Sequence, residues 1–110
     1  MDIQLRQAGG IRILDFSGNL DTNNSLTAET EVNRLIGEGS DRLLFNFGNL
    51  NFIASSGLRV LLSTAKQLKA SGGRMVICNL NATVQDLFEI SGFATILNLA
   101  TDDDEALASF

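Results

Sequence analysis

The sequence predicts an α/β fold in which a mixed, mostly parallel β-sheet packs with about four helices. Apolar residues alternate with polar ones on both sides of a Gly-Gly pair near the N-terminus, which indicates a β-hairpin. After it, segments with apolar residues at helical spacing alternate with short apolar stretches that are typical of covered strands. The resulting order, β-β-α-β-α-β-α-β-α, implies crossover connections and parallel strand pairing.

The opening hairpin is predicted from residues 3–7 and 11–16, where apolar and polar side chains alternate. Gly9 and Gly10 separate the two segments. Glycines suit a two-residue turn because they adopt positive φ readily. The second strand is expected to end at Gly18.

Three further strands are predicted from short apolar stretches. Residues 43–47 and 75–78 show little alternation, which indicates strands covered on both faces. Residues 96–99 are expected to form a short last strand. Cys78, the only cysteine, is expected to be a small buried side chain rather than a reactive thiol.

The first and second helices are indicated by apolar residues at helical spacing. Helix one is expected after the turn and cap formers of residues 21–25 and should end near Gly37 and Gly39. Helix two is the clearest element and should end at Gly72-Gly73. Its apolar stripe consists of Leu58, Leu61, Leu62, Ala65 and Leu68.

Two shorter helices complete the predicted order. Asn81 is expected to cap the third helix through its side chain, and Gly92 is expected to end it. The fourth helix begins in the acidic run of residues 101–105, whose carboxylates suit the positive end of a helix dipole. At the level of sequence, this run needs no functional explanation.

Length and composition indicate one domain that spans residues 1–110. Hydrophobic residues make up 45% of the chain and charged residues 19%, which argues against disorder. The sequence has neither a signal-peptide pattern nor an apolar run of the roughly 20 residues needed to span a bilayer. A cytoplasmic protein that does not bind membranes is therefore expected.

The charge pattern argues against several classes of function. The net charge is −5 and the eight Lys and Arg residues are scattered along the sequence, which is unfavourable for nucleic-acid binding. With no His and one Cys, neither a metal site nor a cofactor is expected. An enzyme is not expected either, because the commonest general base is missing.

The segment Asn49–Leu58 joins a predicted central strand to helix two, at the sheet edge where open α/β folds place their sites. Ser55 and Ser56 are both expected to precede the helix, and Gly57 is expected to allow a tight turn without a Cβ clash. Two interpretations stay open. A serine caps the helix, or a serine hydroxyl is held at the helix N-terminus, where the dipole tolerates a phosphate dianion.

The sequence resembles the STAS domain family, which is named for sulfate transporters and anti-sigma factor antagonists. Family members carry Asp-Ser-Ser-Gly-Leu at the start of a leucine-rich helix, and this chain reads Phe-Ile-Ala-Ser-Ser-Gly-Leu-Arg-Val-Leu-Leu at residues 52–62. Gly-Asn-Leu-Asp at residues 18–21 and Phe-Glu-Ile-Ser-Gly-Phe at residues 88–93 are similar to two further landmarks. The likeness extends over the whole chain and points to the bacterial anti-sigma factor antagonist type.

The resemblance implies a non-enzymatic, partner-switching role in transcription regulation. Ser55 matches the serine that an anti-sigma factor with serine kinase activity phosphorylates, and a PP2C-type phosphatase reverses the modification. The unphosphorylated protein would bind the anti-sigma factor and free the sigma factor. The surroundings of the phosphorylation site and the partner-binding residues are expected to be Asp21, Thr22, Asn23, Asn24, Asn51, Ala54, Ser56, Gly57 and Arg59. For Asp21, a turn or cap role is equally open.

Two positions depart from the family pattern. Ala54 stands where the family usually has Asp before the serine, and Asn46 where it frequently has Asp at the end of the third strand. Neutral side chains reduce repulsion against a phosphate, but they also remove groups that could position the hydroxyl for a kinase.

The alternative function is therefore a STAS scaffold without the switch, or an accessory subunit of a stress-signalling or lipid-transport complex. Weak nucleotide binding at the serine segment is a further expectation from the family.

Overall fold

The sheet begins with the hairpin that the glycine pair predicts. In the computed structural model, which describes residues 1–110, β1 (Asp2–Ala8) pairs antiparallel with β2 (Ile11–Leu20). Gly9 has a φ of +61°, in the left-handed region that favours glycine. Strand β2 runs two residues beyond its predicted end at Gly18.

The other strands join the hairpin in parallel. They are β3 (Arg42–Ile53), β4 (Arg74–Cys78) and β5 (Asn98–Ala100), and the sheet order is β1-β2-β3-β4-β5. The pairs β2–β3, β3–β4 and β4–β5 are all parallel, so the predicted mixed and mostly parallel sheet is confirmed. Because the strand order follows the chain, the sheet has no point where the order reverses, which is where open sheets usually bind ligands.

Four helices and one short turn of 3₁₀ helix connect and cover the strands. The helices confirm the predicted order, whereas the 3₁₀ turn Phe93–Thr95 was not predicted. The last strand also begins later than predicted, since Ile96 follows that turn and is 59% exposed. The helices are α1 (Ser25–Gly37), α2 (Ser55–Ala70), α3 (Ala82–Ile90) and α4 (Asp103–Ala108). No helix is both long and apolar enough to cross a membrane.

Strand β3 is much longer than its predicted extent of residues 43–47. Residues 49–53, predicted as part of a connecting segment, continue the parallel ladder with β2, in register pairs such as Gly18 with Leu50 and Leu20 with Ile53. Leu50 and Ile53 are both buried, so burial favours the longer strand. The ladder contains two register shifts, which break the regular alternation that sequence patterns rely on.

The main core lies between the sheet and α1, α2 and α3. Phe16, Phe45 and Phe47 form its aromatic part, with ring centroids 5.3 to 6.3 Å apart. A smaller core lies on the opposite face of the sheet, where Ala106 of α4 packs in a cluster with Leu44 of β3. Helices α2 and α4 therefore cover opposite faces.

The short helices begin as predicted. The Asn81 side chain accepts a hydrogen bond from the Val84 backbone N–H at 2.8 Å, which confirms the predicted cap of α3. At α4, the Asp102 carboxylate accepts from the Glu105 backbone N–H at 2.9 Å. Each carboxyl or amide oxygen satisfies a helix N–H group that has no partner inside the helix.

Asp103 was predicted only to interact favourably with the α4 dipole, but it also links α4 to the sheet. Its carboxylate accepts hydrogen bonds from Asn46 Nδ2 at 2.7 Å, from Arg6 at 3.2 Å and from the Cys78 thiol at 3.4 Å. Burial raises the pKa of Asp103, but these three donors outweigh it and leave the pKa below its usual value. Cys78 is fully buried, as predicted. Burial is the main cause that raises the pKa of its thiol to about 12, and the nearby Asp103 carboxylate is the second.

We expect the Asp103→Asn variant to be less stable than the wild type by about 1 kcal/mol at neutral pH, because it loses a charged hydrogen-bond acceptor. The folded-state pKa of Asp103 lies below its unfolded value of about 3.9. Its contribution is therefore present above about pH 4 and is lost as the pH falls through the folded value.

Urea unfolding at pH 7 and at low pH checks this, and the difference between the two proteins should shrink in acid. The matched control is Asp104→Asn, since Asp104 is exposed in the same helix turn and makes no side-chain bond. Equal losses in the two variants would show that the helix dipole, rather than the contacts of Asp103, accounts for the effect.

Candidate functional site

Ser55 is the first residue of α2, and one residue, Ala54, separates it from β3. The Ala54 N–H donates to the Leu20 carbonyl at 2.8 Å, which fixes the start of α2 beside the end of β2. Ala54 is the N-cap residue and has no side-chain oxygen, so of the two open interpretations the serine cap is wrong. Both serines lie inside α2, whereas they were predicted to precede it. Ser55 is exposed and its hydroxyl makes no hydrogen bond. The hydroxyl thus lies free beside the unpaired N–H groups of the first helical turn.

Ser56, in contrast, is held by α1. Its Oγ lies 2.8 Å from the Oγ of Ser25, a residue that sequence reasoning missed. The Ser25 hydroxyl also bonds to the Asp21 carbonyl. A hydroxyl carries a single proton, so when Ser25 donates to Asp21, the proton between the serines comes from Ser56. Two adjacent serines that look equivalent in the sequence therefore differ in the fold.

The loop of residues 21–24 is held mostly by its own hydrogen bonds. The Asp21 carboxylate accepts from the Asn23 N–H at 2.9 Å, and the Asn24 side chain accepts from the Asp21 N–H at 2.9 Å. Asn24 also donates to the Asn19 carbonyl at 2.8 Å. Such side-chain bonds to nearby backbone are typical of turns. For Asp21 they support the turn role that the sequence left open.

Gly57 avoids a Cβ clash, as predicted, but it does so within a helix and not in a tight turn. It lies inside α2 and does not have positive φ. A Cβ atom built on it would lie 2.7 Å from Leu20 Cγ and 2.8 Å from Ile53 Cγ1. Both neighbours are fully buried, so they cannot easily move away. Glycine here allows the first turn of α2 to approach the ends of β2 and β3.

A shallow depression of about 430 Å³ lies between α1 and α2, beside Ser56. It brings together three predicted site residues, Thr22, Ser56 and Arg59, whereas Asn51 lies outside it, exposed on β3. Arg59 is exposed and forms no ion pair. The remaining lining residues are Ser25, Leu26, Glu29, Val60 and Ser63.

Two large apolar side chains near this site are exposed, and the sequence analysis did not identify them. Leu26 lines the depression and is 73% exposed, and Phe52, three residues before Ser55, is 47% exposed. Leu26 lies two residues before Ala28, off the buried stripe of α1, which is the signal that could have found it. Exposed apolar side chains around a polar site are typical of protein contact surfaces.

Asn46 does not belong to this site. Its side chain donates to Asp103 and accepts from the Gly48 N–H at 2.8 Å, on the face of the sheet that α4 covers. Ile53, at the end of β3, lies seven positions further along the strand, or roughly 23 Å away. Of the two neutral replacements, only Ala54 lies next to the serine.

The chain is similar to several bacterial regulators over nearly its full length. BtrV of Bordetella bronchiseptica, a candidate anti-sigma factor antagonist, is 34% identical over 110 residues, which cover 100% of this chain and 95% of BtrV. The anti-sigma F factor antagonist of Paenibacillus polymyxa is 29% identical, with 97% and 92% of the two chains covered. The phosphorylated form of the Bacillus cell fate determinant SpoIIAA has a TM-score of 0.75 and 25% identity, with 98% of each chain covered.

Fold and serine segment together define a small α/β protein with an exposed serine in the first turn of its second helix. The STAS domain profile matches residues 2–106, and the chain belongs to the STAS domain family. The predicted resemblance is confirmed, and the similarity to proteins named as anti-sigma factor antagonists confirms its bacterial type.

We expect Ser56→Ala to lower the free energy of unfolding by about 1 kcal/mol, because it removes the hydrogen bond that joins α2 to α1. Ser55→Ala should change it by less than about 0.5 kcal/mol, because the exposed hydroxyl has no partner. Chemical denaturation of the two single variants measures the difference. Equal effects would contradict the distinction between the two serines.

Gly57→Ala should destabilise the fold by about 1 to 3 kcal/mol, since the new methyl group overlaps buried side chains. Gly37→Ala is the matched control, because Gly37 also lies in a helix, as the last residue of α1. An added Cβ there would have no atom within 4 Å, and Gly37 does not have positive φ. Helix propensity makes that control neutral or slightly stabilising. Thermal or urea unfolding compares them, and a neutral Gly57→Ala would refute the close packing.

Proposed function

We propose that this protein is an anti-sigma factor antagonist that acts by partner switching in the cytoplasm. In its unphosphorylated form it binds an anti-sigma factor that is also a serine kinase. Phosphorylation of Ser55 ends that binding, and a PP2C-type phosphatase restores it. The observation that carries the proposal is the exposed, unbonded Ser55 hydroxyl in the first turn of α2.

Accessibility favours Ser55 over Ser56 as the phosphate acceptor. A kinase must bring the acceptor hydroxyl to the terminal phosphate of its nucleotide, which requires an exposed and free hydroxyl. Ser55 meets both conditions, whereas the Ser56 hydroxyl is engaged with Ser25. Hydrogen bonding and the family motif therefore favour the same acceptor, Ser55.

A phosphate on Ser55 would find favourable neighbours within the protein. The free N–H groups of the first turn of α2 attract an anion. Arg59 lies four residues further on, which places it one turn away on the same helix face. Ala54 contributes no charge that would repel the phosphate. The modified form can therefore be accommodated without unfolding the helix.

The same phosphate would oppose binding of a partner. It adds about −1.5 to −2 charges to a surface that includes the exposed apolar residues Leu26 and Phe52. A partner that covers these side chains would have to remove water from the dianion, which costs free energy. Local desolvation and repulsion can switch the binding without any change of fold.

Two relatives support this assignment. The Paenibacillus polymyxa relative is an anti-sigma F factor antagonist, and SpoIIAA has a structure in a phosphorylated form. A binding module rather than an enzyme fits the serine segment, because Ser55 has no side chain bonded to it that could act as a general base. Weak nucleotide binding at this segment stays a prediction.

The alternative is a STAS scaffold without a switch, or an accessory subunit of a stress-signalling or lipid-transport complex. Ala54 is the observation that favours it, because the residue before the serine lacks the carboxylate that the family usually has. Without that group, a kinase has one fewer contact with which to orient the hydroxyl. The two functions differ in what a charge at position 55 does to partner binding.

We expect the anti-sigma factor kinase of the same cell to transfer one phosphate to the wild-type protein and to Ser56→Ala, and none to Ser55→Ala. Intact-mass measurement after incubation with the kinase and ATP checks this. Equal labelling of Ser55→Ala and the wild type would assign the phosphate to another residue.

Ser55→Asp should weaken binding of the same partner by tenfold or more, which is at least about 1.4 kcal/mol. The control is Thr83→Asp, which adds the same charge to the exposed first turn of α3 and breaks no hydrogen bond. Calorimetric titration compares the two. Unchanged binding by Ser55→Asp would favour the scaffold.

A further inference from the structure

The cations of this acidic protein are unevenly distributed in the fold. Three of the eight, Arg6, Arg34 and Arg42, form ion pairs with carboxylates. Of the remaining five, four lie along α2 and the adjoining end of β4, and none of these four has an ionic partner. They are Arg59, Lys66, Lys69 and Arg74. Half of the cations that are scattered in the sequence thus lie on one surface of a chain with net charge −5.

Three of these cations surround a groove of about 480 Å³ between α2 and the β4 edge of the sheet. The groove lies where β5 is short: the pairing of β5 with β4 begins at Val76, opposite Asn98, so the backbone of Arg74 and Met75 has no strand partner on that side. Asn98 partly compensates, since its side chain donates to the Met75 carbonyl at 3.1 Å. The sheet edge therefore forms the floor of an open groove.

The lining of the groove is apolar between the charges. Leu62 and Ala65 of α2 face it from one side, and Ile96, 59% exposed, and Leu97 from the other. No Asp or Glu contributes to it. Helix dipole effects account for Lys69 in the last turn of α2, but not for Arg74 on a strand or for the exposure of Ile96. The combination of cations and apolar side chains is that of a binding surface.

The groove is elongated along α2. A second depression, lined by Arg59, Ser63 and Gln67, adjoins it and shares Leu62 and Lys66 with it. From residue 59 to residue 69 the helix rises about 15 Å. That length suits about ten residues of a second helix better than it suits a compact small molecule.

We propose that this groove docks an acidic amphipathic helix of a partner protein. Carboxylates of that helix would face Lys66, Lys69 and Arg74, and its apolar side chains would enter between Leu62 and Ile96. Charge complementarity argues for a protein segment of this kind, because the groove presents cations at its rim and aliphatic side chains in its middle. Anionic vesicles, free phosphate and a second copy of this chain are the competing occupants that the test separates.

The part of the groove lined by Lys66, Lys69 and Arg74 is distinct from the surface around Ser55, although Arg59 at the near end of α2 adjoins both, and docking there does not depend on the proposed switch. Lys66 and Lys69 lie about 16 Å and about 21 Å from Ser55 along the helix. The Debye length at physiological ionic strength is about 8 Å. A charge at Ser55 should therefore have little influence on the groove, and the two proposals can fail separately.

The test uses the full chain and a stapled synthetic helix of about 12 residues, with Leu on one face and Glu on both flanks. Fluorescence anisotropy should show saturable binding that weakens with salt, and NMR shift changes should centre on α2 and residues 96–98. A second peptide with Gln for every Glu should bind at least about tenfold more weakly. Ser55→Asp should change the affinity by less than about twofold.

Matched variants locate the site. Lys69→Glu and Arg42→Glu change the net charge equally, but only Lys69→Glu should weaken binding, by at least about fivefold. Ile96→Asn, at an exposed position, should weaken it at least about threefold. Equal effects of Lys69→Glu and Arg42→Glu, shifts centred on Ser55, or no saturation by the acidic peptide would overturn the proposal. So would preferential binding of anionic lipid vesicles or inorganic phosphate, or sedimentation as a dimer through this face.

Discussion

The close approach of α2 to the ends of β2 and β3 determines where the candidate site lies. Gly57 permits it, because any larger residue would overlap Leu20 and Ile53. The hydrogen bond from Ala54 to Leu20 fixes the same junction from the backbone side. With the helix start held this closely, Ser55 lies at the surface. A packing constraint in the core thus produces the exposure that a modification site needs.

The element order could be predicted because it depends on local patterns. Strand alternation, helical spacing and turn glycines all lie within a few residues of one another. The full length of β3 could not, because its last residues are held by an irregular ladder with β2, whose register shifts hide the alternation. The face of the sheet on which Asn46 lies could not be predicted either. Both faces of β3 are apolar, and the sequence does not indicate which of them α2 covers.

Within the site, the family motif identified the serines, but only tertiary contacts separate them. Ser25 lies 31 residues before Ser56, and no spacing rule connects the two positions. The exposed Leu26 and Phe52 were also missed, because a single apolar residue off a stripe is common in soluble proteins. The structure therefore adds contacts that the sequence did not indicate, and the functional role of the serine segment stays a prediction.

Helix α2 joins two surfaces of different chemistry. Its first turn presents a neutral serine beside free N–H groups, where added negative charge is stabilised by the helix itself. Its later turns carry unpaired cations above an apolar groove, where charge is already present and permanent. Because screening separates the two ends, a partner at the groove would hold the protein while the serine end changes state. One helix can thus provide both a constant docking contact and a variable one.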